Sequence, residues 1–225
     1  FGEEPSLQER LAERKASGGA ARDPEVGRVF AAGIEEVATS GLLDEAISEG
    51  DEAPEFTLPT IDGASVTLSE ALTDGPVVLL WYRGSWCPYC NLQLQAYAEH
   101  KAAFESLGAT LWAISPELPA EIDWREGTDA SQFPFTLLVD EGNAVAADYN
   151  LVFEVAEPVR EIYDRFELDL ARHNGPSGAT ELPLAATYVI APDGRVTWAH
   201  FSADYTERGE PQQVYQAVVS LASDQ

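Results

Sequence analysis

Methionine is absent from the 225 residues, lysine is confined to Lys15 and Lys101, and cysteine occurs only as Cys87 and Cys90. Long apolar runs are missing too. The longest is Val77-Val78-Leu79-Leu80-Trp81-Tyr82, the length of a buried strand, whereas a membrane helix needs roughly 20 such residues. No membrane segment is therefore expected. Basic charge is scarce, with 13 Lys plus Arg against 39 Asp plus Glu and a net charge of -26. A field of that sign repels phosphate backbones, which excludes nucleic acid as a partner. The acidic excess is spread along the chain, keeps it soluble, and resembles proteins adapted to high salt, where counterions screen self-repulsion. The opening FGEEPSLQERL has no basic stretch followed by an apolar block. No signal peptide is read there and a cytoplasmic location is expected, although the missing initiator methionine leaves room for a trimmed segment.

The length suits one domain of roughly 100–200 residues with additions. Residues 1–50 read as an N-terminal helical arm. Leu7 and Leu11 share a face, Gly18-Gly19 breaks the first helix, and a second is predicted from Pro24 to Thr39. Its stripe of Val26, Phe30, Ile34 and Val37 needs a cover, either the main domain or another subunit. Residues 51–225 read as the main domain. Phe56–Leu58 and Val66–Leu68 are short strands about an Asp62-Gly63 turn, and Ser69 is placed to cap a short helix. The run 77–82 reads as a central strand buried on both faces, followed by a helix from Cys87 or Pro88 to Leu107. Further strands are predicted at 110–114 and 136–139, and a short helix at 143–149. The hairpin 187–190/196–200 turns at Pro192-Asp193-Gly194, and a last helix spans 211–222. Between Leu151 and Leu182 no periodicity stands out, with Pro158, His173 and Gly175-Pro176 as breaks. The order implies an α/β three-layer domain with a central mixed β-sheet. A dinucleotide fold is excluded because no glycine-rich fingerprint follows strand 77–82.

That strand instead runs into Arg83-Gly84-Ser85-Trp86 and then Cys87-Pro88-Tyr89-Cys90. On a first helical turn this spacing brings two sulfurs within disulfide reach. Pro88 suits the first helical position, which leaves Cys87 at the cap. The unpaired N–H groups and the helix dipole there favour a thiolate, and Arg83 can add positive charge by folding back. The alternatives are an inert thiol pair or half of a zinc site. Zinc needs four ligands, and His100, His173 and His200 lack a tight ligand spacing. No metal and no cofactor is expected.

The segment WYRGSWCPYCNLQL, with APEFTLPTIDG at 53–63, ISPE at 114–117, LPLAATYVI at 182–190 and DYTERGEP at 204–211, resembles the peroxiredoxin-like branch of the alkyl hydroperoxide reductase and thiol-specific antioxidant superfamily. The likeness covers residues 51–222. It implies a thioredoxin-like fold and a thiol peroxidase acting on hydrogen peroxide or organic hydroperoxides. In that chemistry a cysteine thiolate becomes a sulfenic acid and is recycled through a disulfide, with a thioredoxin-like protein or low-molecular-weight thiol as reductant. A homodimer is also implied. Laid over the family's Pro-x-x-x-Thr-x-x-Cys pattern, Arg83 takes the proline position, Cys87 the threonine position and Cys90 the attacking cysteine position. The thioredoxin pattern Trp-Cys-x-x-Cys makes Cys87 the attacker instead. Depth in the helical turn favours Cys87. The arginine that such enzymes place before the late strand is missing, because Ala185 stands near that position. Arg83 is expected to replace that cation.

Other residues carry two readings each. Trp86 shields a sulfur or packs beneath the loop, and Tyr89 forms part of the pocket rim. Arg208 reaches the pocket or forms a buried or capping ion pair, and Asp204 and Tyr205 share that alternative. Glu117 lines the pocket mouth or caps a turn, while Tyr82 and His200 read as structural. Two other functions compete with the peroxidase. One is a general thiol-disulfide oxidoreductase acting on protein disulfides. The other is a redox-sensing or partner-binding protein that uses the apolar stripe of the arm.

Overall fold

The computed structural model describes residues 5–18, 23–123 and 133–223. Helix α1 spans Leu7–Ser17 and opens with a capping box. The Glu9 N–H donates to Ser6 Oγ at 3.2 Å, and the Ser6 N–H donates to Glu9 Oε2 at 2.8 Å. Such reciprocal capping satisfies two otherwise orphaned donors. Helix α2 runs over Pro24–Thr39, as the sequence predicts, and Asp23 caps it.

The apolar stripe of these two helices is covered by the chain itself. Leu7, Leu11, Val26 and Val37 are buried; Phe30 packs on the cluster that holds Leu7 and Leu11, and Val37 joins the cluster on the other face of the sheet. Burying each leucine contributes roughly 1.5–3 kcal/mol. The Arg10–Glu99 pair, at 2.7 Å, contributes under about 1 kcal/mol at an exposed site. Apolar burial therefore holds α1 down, and polar contacts fix its register. The Glu210 carboxylate accepts from the Leu7 and Gln8 N–H groups, and Gln8 Nε2 donates to the Arg208 carbonyl at 2.6 Å.

Short helix α3 spans Leu42–Glu45. Strands β1 (Thr57–Pro59) and β2 (Ser65–Thr67) pair antiparallel, ahead of helix α4 (Leu68–Leu72). The expected cap is corrected here. Thr67 precedes the helix, whereas Ser69 lies within it and donates its N–H to Glu55 Oε1. Strand β3 (Val77–Trp81) is wholly buried and leads into helix α5 (Pro88–Ser106). Strands β4 (Thr110–Ser115) and β5 (Thr136–Val139) then continue the sheet in parallel.

The predicted short helix at 143–149 is helix α6 (Ala144–Asp148). The stretch that the sequence leaves unread resolves into short pieces, beginning with strand β6 (Val152–Glu154) and helix α7 (Glu157–Arg165). Helix α8 (Leu170–Asn174) and strand β7 (Glu181–Pro183) follow, with β7 antiparallel to β6. Pro158 starts a helix rather than breaking one. It sits in the first turn of α7, where its missing N–H costs no intrahelical bond. Strands β8 (Ala186–Ile190) and β9 (Val196–Phe201) form the hairpin, and helix α9 (Pro211–Ser223) closes the order. The main sheet runs β5-β4-β3-β8-β9, with β8 alone antiparallel to the other four strands. One core cluster lies on each face. This is the α/β, thioredoxin-like three-layer fold, preceded by N-terminal helices. Among the described residues, no helix is long and apolar enough to cross a membrane.

Candidate active site

The β3–α5 junction sits at the C-terminal end of the central strand, where α/β sheets place their sites. Gly84 has φ +155°, and a Cβ there would fall 2.2 Å from Trp86 Nε1. Only glycine lets the Trp86 indole fold back over the loop. Cys87 then adopts extended geometry as the N-cap of α5, with Pro88 as the first helical residue. The Cys87 N–H donates to the Gly84 carbonyl at 3.1 Å, and the Asn91 N–H donates to the Cys87 carbonyl at 3.1 Å.

Both thiols are free, and their surroundings differ. Cys87 is 2% exposed and lines a cleft of about 470 Å³, whereas Cys90 is 0% exposed and does not line it. Burial alone raises the Cys87 thiol. Hydrogen bonding from Cys90 and the charges of Arg83 and Arg208 overcome that, and hold it below the ordinary thiol range. Burial pushes the Cys90 thiol up, and its neighbour Cys87 pushes it further. Environments that drive two titrating groups apart mark distinct roles.

Two guanidiniums supply the positive charge. Arg83, 4% exposed, holds Nη1 4.0 Å from Cys87 Sγ and donates through Nη2 to the Tyr163 hydroxyl. Its Cζ lies 4.5 Å from the Tyr205 ring centroid and 4.9 Å from that of Trp86. Burial opposes its charge, but Tyr163 and both sulfurs outweigh that and keep it protonated. Arg208, 1% exposed, points Nη2 at Cys90 Sγ from 3.6 Å and donates through Nη1 to the Glu207 carbonyl. The Arg83 N–H also donates to Cys90 Sγ, at 3.4 Å. Among the described residues neither guanidinium pairs with a carboxylate. Each guanidinium instead faces a sulfur, Arg83 that of Cys87 and Arg208 that of Cys90.

Each residue singled out from the sequence has a place here. Arg83 folds back toward Cys87 as expected. Arg208 reaches Cys90 Sγ but does not line the cleft, and it forms no ion pair among the described residues. Trp86 both lines the cleft and packs into the core, and Tyr89 lines the cleft with its ring 5.5 Å from Tyr205. Asp204 takes the structural reading, paired with Lys15 at 2.8 Å. His200 stacks on Trp198, and burial lowers its pKa. Ala185 is buried without a cis peptide bond among the described residues. Positive charge arrives instead from Arg83 and, on the 204–210 segment, from Arg208.

Two residues escaped the sequence reading, and a third, Glu117, was read with other roles. Tyr163 holds Arg83, yet it lies in the unread stretch; the spacing of Val159, Ile162 and Tyr163 on α7 was its only signal. Asn91 Nδ2 donates to the Ser85 carbonyl at 3.0 Å. Glu117 is a buried hub rather than a turn cap. Its carboxylate accepts from the Ser85 N–H at 2.6 Å, the Ser85 hydroxyl at 3.0 Å and His173 Nδ1 at 2.8 Å. It thereby anchors the loop that presents Cys87. Among the described residues, no three His, Cys, Asp or Glu side chains converge as a metal site requires.

A thioredoxin-like sheet with a vicinal thiol pair at a helix entrance defines a thiol-based redox protein. The chain belongs to the AhpC/TSA family, whose sequence model matches residues 49–199. It is similar to a putative chloroplastic peroxiredoxin Q of Oryza sativa subsp. indica, with 35% identity over 105 residues and 47% of each chain covered. The chloroplastic peroxiredoxin Q of Suaeda salsa is 33% identical over 119 residues, 52% of this chain and 54% of that one. The chain therefore spans about half the length of the curated relatives it matches. Its fold is that of peroxidoxin BcpB from Mycobacterium tuberculosis, with a TM-score of 0.59 at 21% identity, covering 80% of this chain and 99% of that one. A peroxiredoxin Q from Xanthomonas campestris gives 0.52 at 18% identity, over 74% and 91% of the chains. Family membership supports an enzymatic, redox-active role. The expectation of a cytoplasmic location is corrected by these relatives, since the plant proteins are named as chloroplastic.

Proposed function

We propose that the chain is a thiol peroxidase with Cys87 as the attacking sulfur and Cys90 as the resolving one. The observation that carries this reading is the asymmetry of the pair. Cys87 opens on the cleft beside Arg83 and is stabilised as an anion, while Cys90 is sealed beneath it. The Cys87 thiolate attacks one peroxide oxygen. An S–O bond forms, the O–O bond breaks, and the departing oxygen takes a proton to leave as water or an alcohol. Arg83 faces the charge that moves between sulfur and oxygen, where a fixed donor lowers the barrier. The Cys90 thiol, losing its proton, then attacks the Cys87 sulfenic acid; an S–S bond forms and water leaves. Two electrons from a thioredoxin-like protein or two low-molecular-weight thiols restore the dithiol. In this reading residues 51–225 form the peroxidase domain and residues 1–50 an arm that packs on it.

Exchange with protein disulfides is the weaker reading, because Cys87 sits inside a cleft rather than on an exposed rim. The sensing or partner-binding reading is weakened, since Val26 and Val37 of the arm's stripe are buried and Phe30 and Ile34 half-buried against this chain. The expected outcome with dithiothreitol is rapid consumption of micromolar hydrogen peroxide or cumene hydroperoxide, with negligible reduction of insulin disulfides. Fast insulin reduction with slow peroxide consumption reverses the order of the two readings.

A further inference from the structure

Behind the thiol cleft lies a second, narrower cavity of about 40 Å³ beneath helix α2. Its walls include Ile34 and Val37 from α2, Val155 and Val159 from the β6–α7 region, and Leu184 before β8. Four side chains line both cavities and so form the partition between them: Phe30, Arg83, Tyr163 and Tyr205. Three of these are committed to one another. Arg83 donates to the Tyr163 hydroxyl, stacks on Tyr205 and faces Cys87. Phe30 alone has no polar commitment. Its ring sits 6.0 Å from those of Tyr163 and Tyr205, and it is contributed by the arm rather than by the sulfur-bearing domain.

We infer that Phe30 is a specificity-determining residue, an apolar gate that sets how far the hydrocarbon body of a hydroperoxide extends from Cys87 toward the cavity under α2. This rests on the peroxidase reading and adds to it a substrate preference controlled from the arm. An apolar wall accepts alkyl or aryl groups and discriminates by size, typically about 10–200-fold per methylene-sized difference. Glu36 and Glu154, both exposed, stand at the cavity's outer wall. Glu154 is paired with Arg160 at 3.6 Å, so the preference rests on the apolar lining, and the class favoured is the uncharged alkyl or aryl hydroperoxide.

The test compares Phe30→Ala and Phe30→Trp with the native protein for the ratio of kcat/KM on cumene hydroperoxide to that on hydrogen peroxide. Phe30→Ala joins the two cavities, and the ratio should rise about tenfold; Phe30→Trp should lower it. A ratio unchanged in both variants, with the two substrates slowed equally, overturns the proposal and leaves Phe30 as packing beneath the Arg83 cage. Calorimetric binding of the product alcohol, 2-phenyl-2-propanol, provides a readout apart from turnover. Tighter binding to Phe30→Ala than to the native protein supports the gate, and unaltered affinity counts against it. Should the native protein consume no peroxide, the peroxidase reading fails while this binding comparison still decides the gate. If the alanine variant does not fold, judged by circular dichroism, Phe30→Leu replaces it with the same expected direction.

Discussion

Replacing Cys87 with serine should abolish catalytic peroxide consumption, a loss on the order of 10³-fold or more in kcat/KM, because no other group in the cleft can attack. Cys90→Ser should behave differently. Its Cys87 still reacts once, but the sulfenic acid has no neighbouring sulfur to capture it. One equivalent of peroxide is then consumed rapidly per chain, and further turnover waits on external thiol. Stopped-flow peroxide consumption, with dimedone labelling read by mass spectrometry, separates the two. The label should sit on Cys87 in the Cys90→Ser protein and be absent from Cys87→Ser. A dimedone adduct on Cys90 in the Cys87→Ser protein, formed at the native rate, would reverse the roles. That reversal is the assignment drawn from the Pro-x-x-x-Thr-x-x-Cys pattern.

The second large effect belongs to Arg83. Its guanidinium is buried, held by Tyr163 and stacked on two rings, so its position is fixed before substrate arrives. Removing one preorganised donor at a reacting centre costs about 10²–10³-fold, and Arg83→Ala should lose that much in the first attack. Arg83→Lys should recover only part of it, because an ammonium keeps the charge but not the planar, stacked fork. Arg208→Ala should affect the first attack less, since its guanidinium faces Cys90. Pre-steady-state rates of Cys87 oxidation provide the comparison. An Arg83→Ala rate equal to the native one would remove Arg83 from the chemistry.

Much of the fold was legible because its signals are local. Strand 77–81 shows as an uninterrupted apolar run, α2 as three- and four-residue apolar spacing, and the late hairpin as a Pro-Asp-Gly turn. The sulfur pair was legible for the same reason. The stretch 151–182 was not. Strands β6 and β7 have only three residues each, too short for alternation to show, and they pair with each other rather than joining the main sheet. The cation geometry lies beyond local pattern altogether. Arg208 is 118 residues from Cys90 and Tyr163 is 80 from Arg83. Only the closed core brings them together. Phe30 was read as one member of a stripe seeking a cover; that the cover includes the rings around Arg83 is likewise a tertiary fact.

The most direct test of the proposed chemistry is the pH dependence of iodoacetamide alkylation of each cysteine in the fully reduced protein, resolved by peptide mass spectrometry. An ordinary thiol titrates near about 8.5. Alkylation follows the thiolate, so a sulfur held below that value keeps reacting as the pH falls. Cys87 should therefore remain reactive at pH 6, with its midpoint well under the ordinary one, while Cys90 stays unlabelled across the range. Alkylation of Cys90 first, or a Cys87 midpoint at the ordinary thiol value, would contradict a stabilised Cys87 anion at the helix entrance.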